Sequence, residues 1–310
     1  MSAVLEIKDL YKSFGNNIAL DGFNITVQSG EIYGLLGPNG AGKTTFISAV
    51  AGLIRDFSGD ILFFGKDIFT DRMLKKELGI VPQDMAFYEE LGAIDNLLFW
   101  GGLYGVPGRE LKNRAKDLLK VVGLEDRAKE RVKNFSGGMK RRLNIAIGLI
   151  HKPKLLLLDE PTVGIDVQAK MKILDIIKQV GEEGTSVIFT THQLSEVEEM
   201  CSRIGIMDHG KLVAEGTLDE LKKIVGEKDI VELNGDFPVD KLTEMLKNKK
   251  DFELISVSES LVTMAFSDRK KLPSVLEIIL KKGFSVSEIK IKSPNLESVF
   301  LKLTGRSLRD

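Results

Sequence analysis

Apolar and polar positions follow two different periods along this chain, and the places where the period changes divide it. Val4-Leu5-Glu6-Ile7 and Asn24-Ile25-Thr26-Val27 carry apolar side chains at strand spacing, and Gly15-Asn16-Asn17 and Gln28-Ser29-Gly30 supply the turns. Ile32-Tyr33-Gly34-Leu35-Leu36 is a short apolar run that ends in glycine, the pattern of a buried parallel strand. A helix is predicted from Lys43 to about Gly52 and a strand over Gly59-Asp60-Ile61-Leu62-Phe63-Phe64-Gly65. From about Met85 to Ile150 the period turns helical, with Ala93 to Leu103 and Leu111 to Val122 separated by Gly105-Val106-Pro107-Gly108. Strand texture returns at Leu155-Leu156-Leu157-Leu158 and at Ser186-Val187-Ile188-Phe189-Thr190, with a helix from about Val167 to Val180 between them. Strand, crossover helix, strand builds a parallel sheet, so residues 85–150 read as a separate helical lobe inserted into an α/β domain.

After Leu218-Asp219-Glu220-Leu221 the pattern resets. It predicts strand (Ile230–Leu233), helix (Val239–Lys247), strand (Phe252–Val257), strand (Leu261–Phe266), helix (Lys271–Lys282), strand (Phe284–Ile291) and helix (Asn295–Leu303). The first six repeat β-α-β twice, the order of a small α+β, ferredoxin-like domain. The boundary is placed near Gly226, giving domains 1–225 and 226–310.

Composition narrows the function classes. Lys plus Arg number 44 and Asp plus Glu 45, a net charge of −1. That balance argues against a chain built to coat nucleic acid, and no nucleic-acid partner is expected. A single cysteine, Cys201, excludes an internal disulfide framework and fits a reducing compartment. No run of about 18 apolar residues is present. The opening MSAVLEIKDL lacks a basic stretch followed by an apolar one, so a cytoplasmic protein without a signal peptide is expected.

The chemistry concentrates in two places. Gly37-Pro38-Asn39-Gly40-Ala41-Gly42-Lys43-Thr44-Thr45 fits G-x-x-x-x-G-K-[ST], follows a predicted strand and opens a predicted helix. Glycines let the backbone wrap an anion with its amides pointing inward, and the helix adds its positive end. Lys43 offers a point charge to the β/γ-phosphates of ATP, and the Thr44 hydroxyl can coordinate Mg²⁺. A glycine-rich turn with no ligand is the bland reading, and Lys-Thr directly after the glycines disfavours it. Leu155-Leu156-Leu157-Leu158-Asp159-Glu160 brings two acids to the ligand side of the same sheet. Asp159 is placed to hold Mg²⁺, directly or through water, and Glu160 to polarise an attacking water. Taken alone, such a pair could equally be a helix cap or a solvated turn. A kinase or GTPase would also fit these two motifs.

Asn134-Phe135-Ser136-Gly137-Gly138-Met139-Lys140-Arg141-Arg142 separates the candidates. Here the sequence resembles the ATP-binding subunit of ABC transporters, whose signature reads Leu-Ser-Gly-Gly-Gln, and the resemblance spans residues 3 to 225. It implies a P-loop NTPase domain of the ABC type, hydrolysing ATP. Physically, Ser136-Gly137-Gly138 starts a helix and makes a second anion site away from the loop at Gly37. In the family that element closes over the γ-phosphate held by a partner subunit. The resemblance thus implies a head-to-tail homodimer, or a heterodimer with a paralogous ATPase, with ATP in the interface. It also implies a separately encoded integral membrane permease, which would hold the chain on the cytoplasmic face of the membrane. Tyr11 matches the aromatic residue that stacks on adenine. Gln83, in Val81-Pro82-Gln83, matches the glutamine that reaches Mg²⁺ and the attacking water. Gly164-Ile165-Asp166 matches the loop across the dimer seam, and His192 matches the histidine that contacts the γ-phosphate. Tyr11, Gln83 and His192 each have an ordinary structural reading as well. His151 and His209 match nothing and are expected at the surface or in turns.

Two positions depart from the family pattern: Met139 stands where glutamine is usual and Val163 where serine is usual. With Glu160 present, hydrolysis is expected to survive both. Ser-Gly-Gly-Met is similar to the branch that pairs with ABC-2-type membrane subunits, which points to export. An apolar groove near Phe87, Tyr88, Leu91 and Trp100 could dock that partner, or those side chains could be core. The tail, including Pro294-Asn295-Leu296-Glu297-Ser298-Val299-Phe300, is similar to the small domain of exporter-type ATPases. It reads as a regulatory or dimer-bracing module or as a stabilising appendage, and Lys247-Asn248-Lys249-Lys250 as a solvated loop. The alternative function is a soluble ABC ATPase acting on the ribosome or on DNA. Those relatives carry two ATPase units or a long coiled coil, which this chain lacks.

Overall fold

A computed structural model describes residues 2–71, 73–225, 228–246, 252–292 and 295–305. They divide into two compact units, one reaching to Leu218 and the other spanning Asp219–Gly305. The expected boundary at Gly226, the Lys247–Lys250 run and Pro294 lie outside the described residues.

The first unit opens with a long antiparallel hairpin, β1 (Ala3–Phe14) and β2 (Asn17–Gln28). Then come β3 (Ile32–Leu36), α1 (Lys43–Val50), β4 (Ser58–Phe63), the two-residue β5 (Lys66–Asp67) and β6 (Leu78–Val81). The helical lobe follows as α2 (Ala93–Leu103), α3 (Gly108–Val121) and α4 (Gly137–Leu149). The chain returns through β7 (Leu155–Asp159), α5 (Val167–Glu182), β8 (Ser186–Thr191), α6 (Leu194–Met200) and the hairpin β9 (Arg203–Asp208) and β10 (Lys211–Gly216).

Two sheets result. One has strand order β2-β1-β4-β5 and the other β10-β9-β3-β8-β7-β6. In the second, β9, β3, β8, β7 and β6 run parallel and only β10 is antiparallel to its neighbour. Leu155–Leu158 have no exposed surface, as a strand covered on both faces requires. The core joins the two sheets through α1: Phe46 and Ile47 share one cluster with Leu5, Phe23 and Phe63 of the antiparallel sheet and Leu157 of the parallel one.

Several elements go beyond the sequence pattern. β6 and the β9–β10 hairpin were not anticipated, and α3 starts at Gly108 rather than Leu111. Its first turn, Gly108-Arg109-Glu110, is polar and carries no periodicity, while Pro107 sets the N-cap. His209 is an exposed turn residue and His151 also lies in a turn, both as expected, but His151 is half-buried. Its ring stacks on Tyr104 at 3.7 Å, and Nε2 lies 2.9 Å from the Leu78 carbonyl. A carbonyl only accepts, so Nε2 carries the hydrogen, and Nδ1 is buried with no partner.

The second unit contains α7 (Leu218–Val225), β11 (Asp229–Asp236), α8 (Val239–Leu246), β12 (Glu253–Val257), β13 (Leu261–Phe266), α9 (Leu272–Lys281), β14 (Ser285–Lys292) and α10 (Leu296–Thr304). Its sheet is antiparallel with order β12-β13-β11-β14. Val231, Leu233, Met264 and Phe266 form its core with Leu242 and Leu246 of α8 and Val275 and Ile279 of α9. Among the described residues no helix is long and apolar enough to cross a membrane.

Burial lowers the His151 pKa below its ordinary value of 6.5, with a smaller contribution from the nearby Arg114 charge. The unfolded chain therefore takes up the proton at a higher pH than the folded one, and stability falls as pH drops below that value. Thermal unfolding at pH values of about 7.5 and 5.5 checks this: His151→Gln loses less stability on acidification than the parent.

Candidate nucleotide-binding and hydrolysis site

β3 delivers the chain to Gly37, whose amide donates to the Thr191 carbonyl at 3.1 Å. A Cβ at Gly37 would lie 2.5 Å from the Met207 carbonyl oxygen, so only glycine fits. Gly42 is more constrained: its φ is +111°, and a Cβ there would lie 2.3 Å from the Ala19 oxygen. No side chain caps α1 at Gly42, which leaves the first amides of the helix available to an anion. Lys43 is only 4% exposed. Its Nζ donates to the carbonyls of Gly37 at 2.7 Å and Pro38 at 3.0 Å and lies 3.0 Å from Glu160 Oε1. Two ammonium protons are thereby hydrogen-bonded, and the carboxylate offsets the charge.

β7 ends at the expected acids. Asp159 accepts a hydrogen bond from the Thr190 hydroxyl at 2.7 Å, and the Glu160 amide donates to the same Thr190 oxygen at 3.0 Å. Glu160 sits at φ +45°, in the left-handed region that a non-glycine residue seldom occupies. That turn directs its buried carboxylate across the cleft, with Oε2 3.3 Å from His192 Nδ1. The contact is misaligned for a hydrogen bond, so Nδ1 has no partner.

These groups border a cleft of about 490 Å³ lined by Asn39, Gly40, Gly42, Lys43, Thr44, Thr45, Gln83, Glu160 and His192. Lys43, Thr44, Gln83, Glu160 and His192, all singled out by the sequence, thus meet at one place. Asp159 stands behind the wall, bonded to Thr190. Gly37, Pro38 and Ala41 shape the loop without lining the cleft. Ser136, Gly137 and Gly138 are also away from the wall of their own chain's cleft. Ser136 caps α4, its hydroxyl accepting from the Met139 amide at 3.3 Å.

The aromatic assignment needs correction. Tyr11 pairs with Ser58 of β4 and does not line the cleft, whereas Phe14 does, together with Asn17 and Ala19. Phe14 is 50% exposed and closes the β1–β2 hairpin. Register shifts between Leu10 and Lys12 and between Lys12 and Ser13 break the alternation that would have shown which ring faces the cleft.

Sequence reasoning also missed what holds Gln83. Arg141, 3% exposed, donates to the Pro82 carbonyl at 3.1 Å and the Gln83 carbonyl at 2.9 Å. Asn144 adds a bond to Pro82 O at 3.3 Å and accepts from the Ala86 amide at 3.2 Å. Burial pushes the Arg141 pKa down, and the charges of Asp159, Asp84 and Glu160 partly offset that. An arginine one turn into the helix after Ser136 was the available signal.

The family description "ABC transporter" matches residues 20–163. The linearmycin resistance ATP-binding protein LnrL of Bacillus subtilis (strain 168) is 41% identical over 99% of this chain and 100% of its own length. This chain belongs to the ABC transporter ATP-binding proteins. The cassette is also 34% identical to the daunorubicin resistance ATP-binding protein DrrA3 of Streptomyces coeruleorubidus, across 96% of this chain and 95% of that one. The Nod factor export ATP-binding protein I of Cupriavidus metallidurans is 34% identical over the full length of both chains. Among solved structures, an ATP-binding subunit of an ABC transporter superposes with a TM-score of 0.65 at 30% identity, covering 72% of this chain and 93% of that one. A dimeric ATP-binding cassette in a post-hydrolysis state, bound to ADP and phosphate, superposes with a TM-score of 0.62 at 25% identity, covering 69% and 98%. The chain is thus an ATPase of the ABC family with a P-loop α/β fold.

In this cassette Arg141→Met leaves the Pro82 and Gln83 carbonyls without their guanidinium partner, a loss of about 1–3 kcal/mol. Urea unfolding measures it. Arg141→Lys recovers only part, because a point ammonium cannot match the fork that serves two carbonyls.

Proposed function

We propose that this cassette binds ATP between two copies and powers export through a separate membrane-spanning partner. The observation that carries the reading is a division of the anion sites. Lys43, Glu160 and His192 converge on one cleft, while the Ser136-capped tip of α4 has no place in that cleft. A head-to-tail pair would bring the tip of one copy to the cleft of the other. The family relatives named for export and drug resistance support the direction of transport.

Within the cleft each group has a distinct task. The loop amides and Lys43 offset negative charge on the phosphates, and Glu160 polarises the water that attacks the γ-phosphorus. His192, opposite Glu160, is placed to contact the γ-phosphate, and Gln83 to orient the water. Thr44 and Asp159 offer hard oxygen donors that suit Mg²⁺, with Gln83 nearby, and the cation would supply further charge neutralisation on the phosphates. The Phe14 ring takes the adenine-stacking role first expected of Tyr11. On the helical lobe, Tyr88, Leu91 and Phe99 are exposed and Phe99 meets the rings of Tyr88 and Trp100 edge-on, an apolar surface suited to the membrane partner.

Glu160→Gln keeps the shape of the cleft but removes the base, so ATP turnover falls by at least about a hundredfold while ATP binding persists. Light scattering then finds an ATP-dependent dimer; a monomer at saturating ATP would overturn the reading. Phe14→Ala weakens nucleotide binding by about 1–3 kcal/mol, roughly five- to a hundredfold in Kd. Tyr11→Ala leaves Kd within about twofold, as titration with a fluorescent ATP analogue checks.

A further inference from the structure

Glu196, in α6, takes no part in the cleft, yet it is the most deeply buried carboxylate among the described residues, with no exposed surface. Its Oε2 accepts from the Thr191 hydroxyl at 2.6 Å. Its Oε1 accepts from the Thr162 hydroxyl at 2.7 Å and lies 2.8 Å from Lys170 Nζ. Lys170 also donates to the Gln193 side-chain oxygen, and the Gln193 amide donates to Thr191 Oγ1 at 3.0 Å.

The partners come from three separate segments. Thr191 and Gln193 flank His192. Thr162 lies two residues beyond Glu160. Lys170 is in the first turns of α5, directly after the Asp166 N-cap that closes Gly164-Ile165-Asp166. One carboxylate therefore fastens the backbone on both sides of the Glu160–His192 gap. Charge-assisted bonds of this kind are short and directional, and inside a protein nothing replaces a missing partner.

We propose that Glu196 is a positioning residue for hydrolysis: it sets where His192 stands relative to Glu160 and ties both to the segment entering α5. The inference rests on the proposed roles of Glu160 and His192. Glutamine in its place has nearly the same volume but only one acceptor oxygen. Its amide group would meet the Lys170 ammonium or a hydroxyl now donating. The cluster then loosens without leaving a cavity.

The test is steady-state ATP turnover by the full chain, read well below the unfolding temperature of each variant. Glu196→Gln lowers kcat about ten- to a hundredfold, the scale for misplacing a group by about 1 Å. The Kd for a fluorescent ATP analogue stays within about threefold, since the loop at Gly37 is untouched. In a His192→Ala background the same substitution costs less than about twofold, because both changes remove one arrangement. Thr162→Val produces part of the loss without removing a charge, and Thr162→Ser recovers it. The Thr162 pair carries the same cycle if Glu196→Gln fails to fold. Parental kcat in Glu196→Gln, or an equal loss with and without His192, overturns the positioning role. Parental turnover in His192→Ala alone instead overturns the role assigned to His192.

Discussion

The buried ion pair between Lys43 and Glu160 is the contact around which the catalytic end of the molecule is arranged. Two opposite charges sealed from water are tolerated only when their remaining hydrogen-bonding capacity is met. Here the Gly37 and Pro38 carbonyls take two of the ammonium protons. The sheet makes the pairing possible. β3, β8 and β7 are adjacent in that order, so the chain leaving each one delivers Lys43, His192 and Glu160 side by side. Neighbouring strands lie about 4.8 Å apart, which sets the width of the gap before any side chain is chosen. Thr190, between the acids and the histidine, bonds to Asp159 and to the Glu160 amide and keeps the left-handed turn in place.

Two buried polar clamps then serve the two loops that border the gap. Arg141 and Asn144 of α4 grip the Pro82–Gln83 carbonyls, and Glu196 with Lys170 grips the loop through His192. Both bridge elements that meet only in the folded chain. Each is built from charged or amide groups because backbone carbonyls and hydroxyls in such places need a partner that water cannot supply.

The motifs most legible in the sequence were those whose chemistry is local. The glycines, Lys43 and Thr44 sit in nine consecutive residues, and Asp159-Glu160 directly follow four leucines. In the second unit the order of elements from β11 to α10 was also readable from period alone. What escaped depended on distance or on irregularity. Glu196 is separated from Thr162 by 34 positions and Arg141 from Gln83 by 58, so no spacing rule exposes them. Phe14 was hidden by the register shifts of β1. β6 is four residues long, too short to show a period, and the Tyr104 ring that stacks on His151 lies too far along the chain for spacing to show.

α4 joins two functions on one rigid rod. Its tip, capped by Ser136, is the proposed second anion site, and Arg141 holds the Gln83 carbonyl about 6 Å further along the axis. A helix turn does not stretch, so a displacement of the tip would carry Arg141 and with it the Pro82–Gln83 loop. In a head-to-tail pair the tip would touch the twin's ATP, and each molecule's chemistry would then depend on the occupancy of both clefts. Such mutual dependence would make the response to ATP concentration sigmoidal, with neither copy an independent motor.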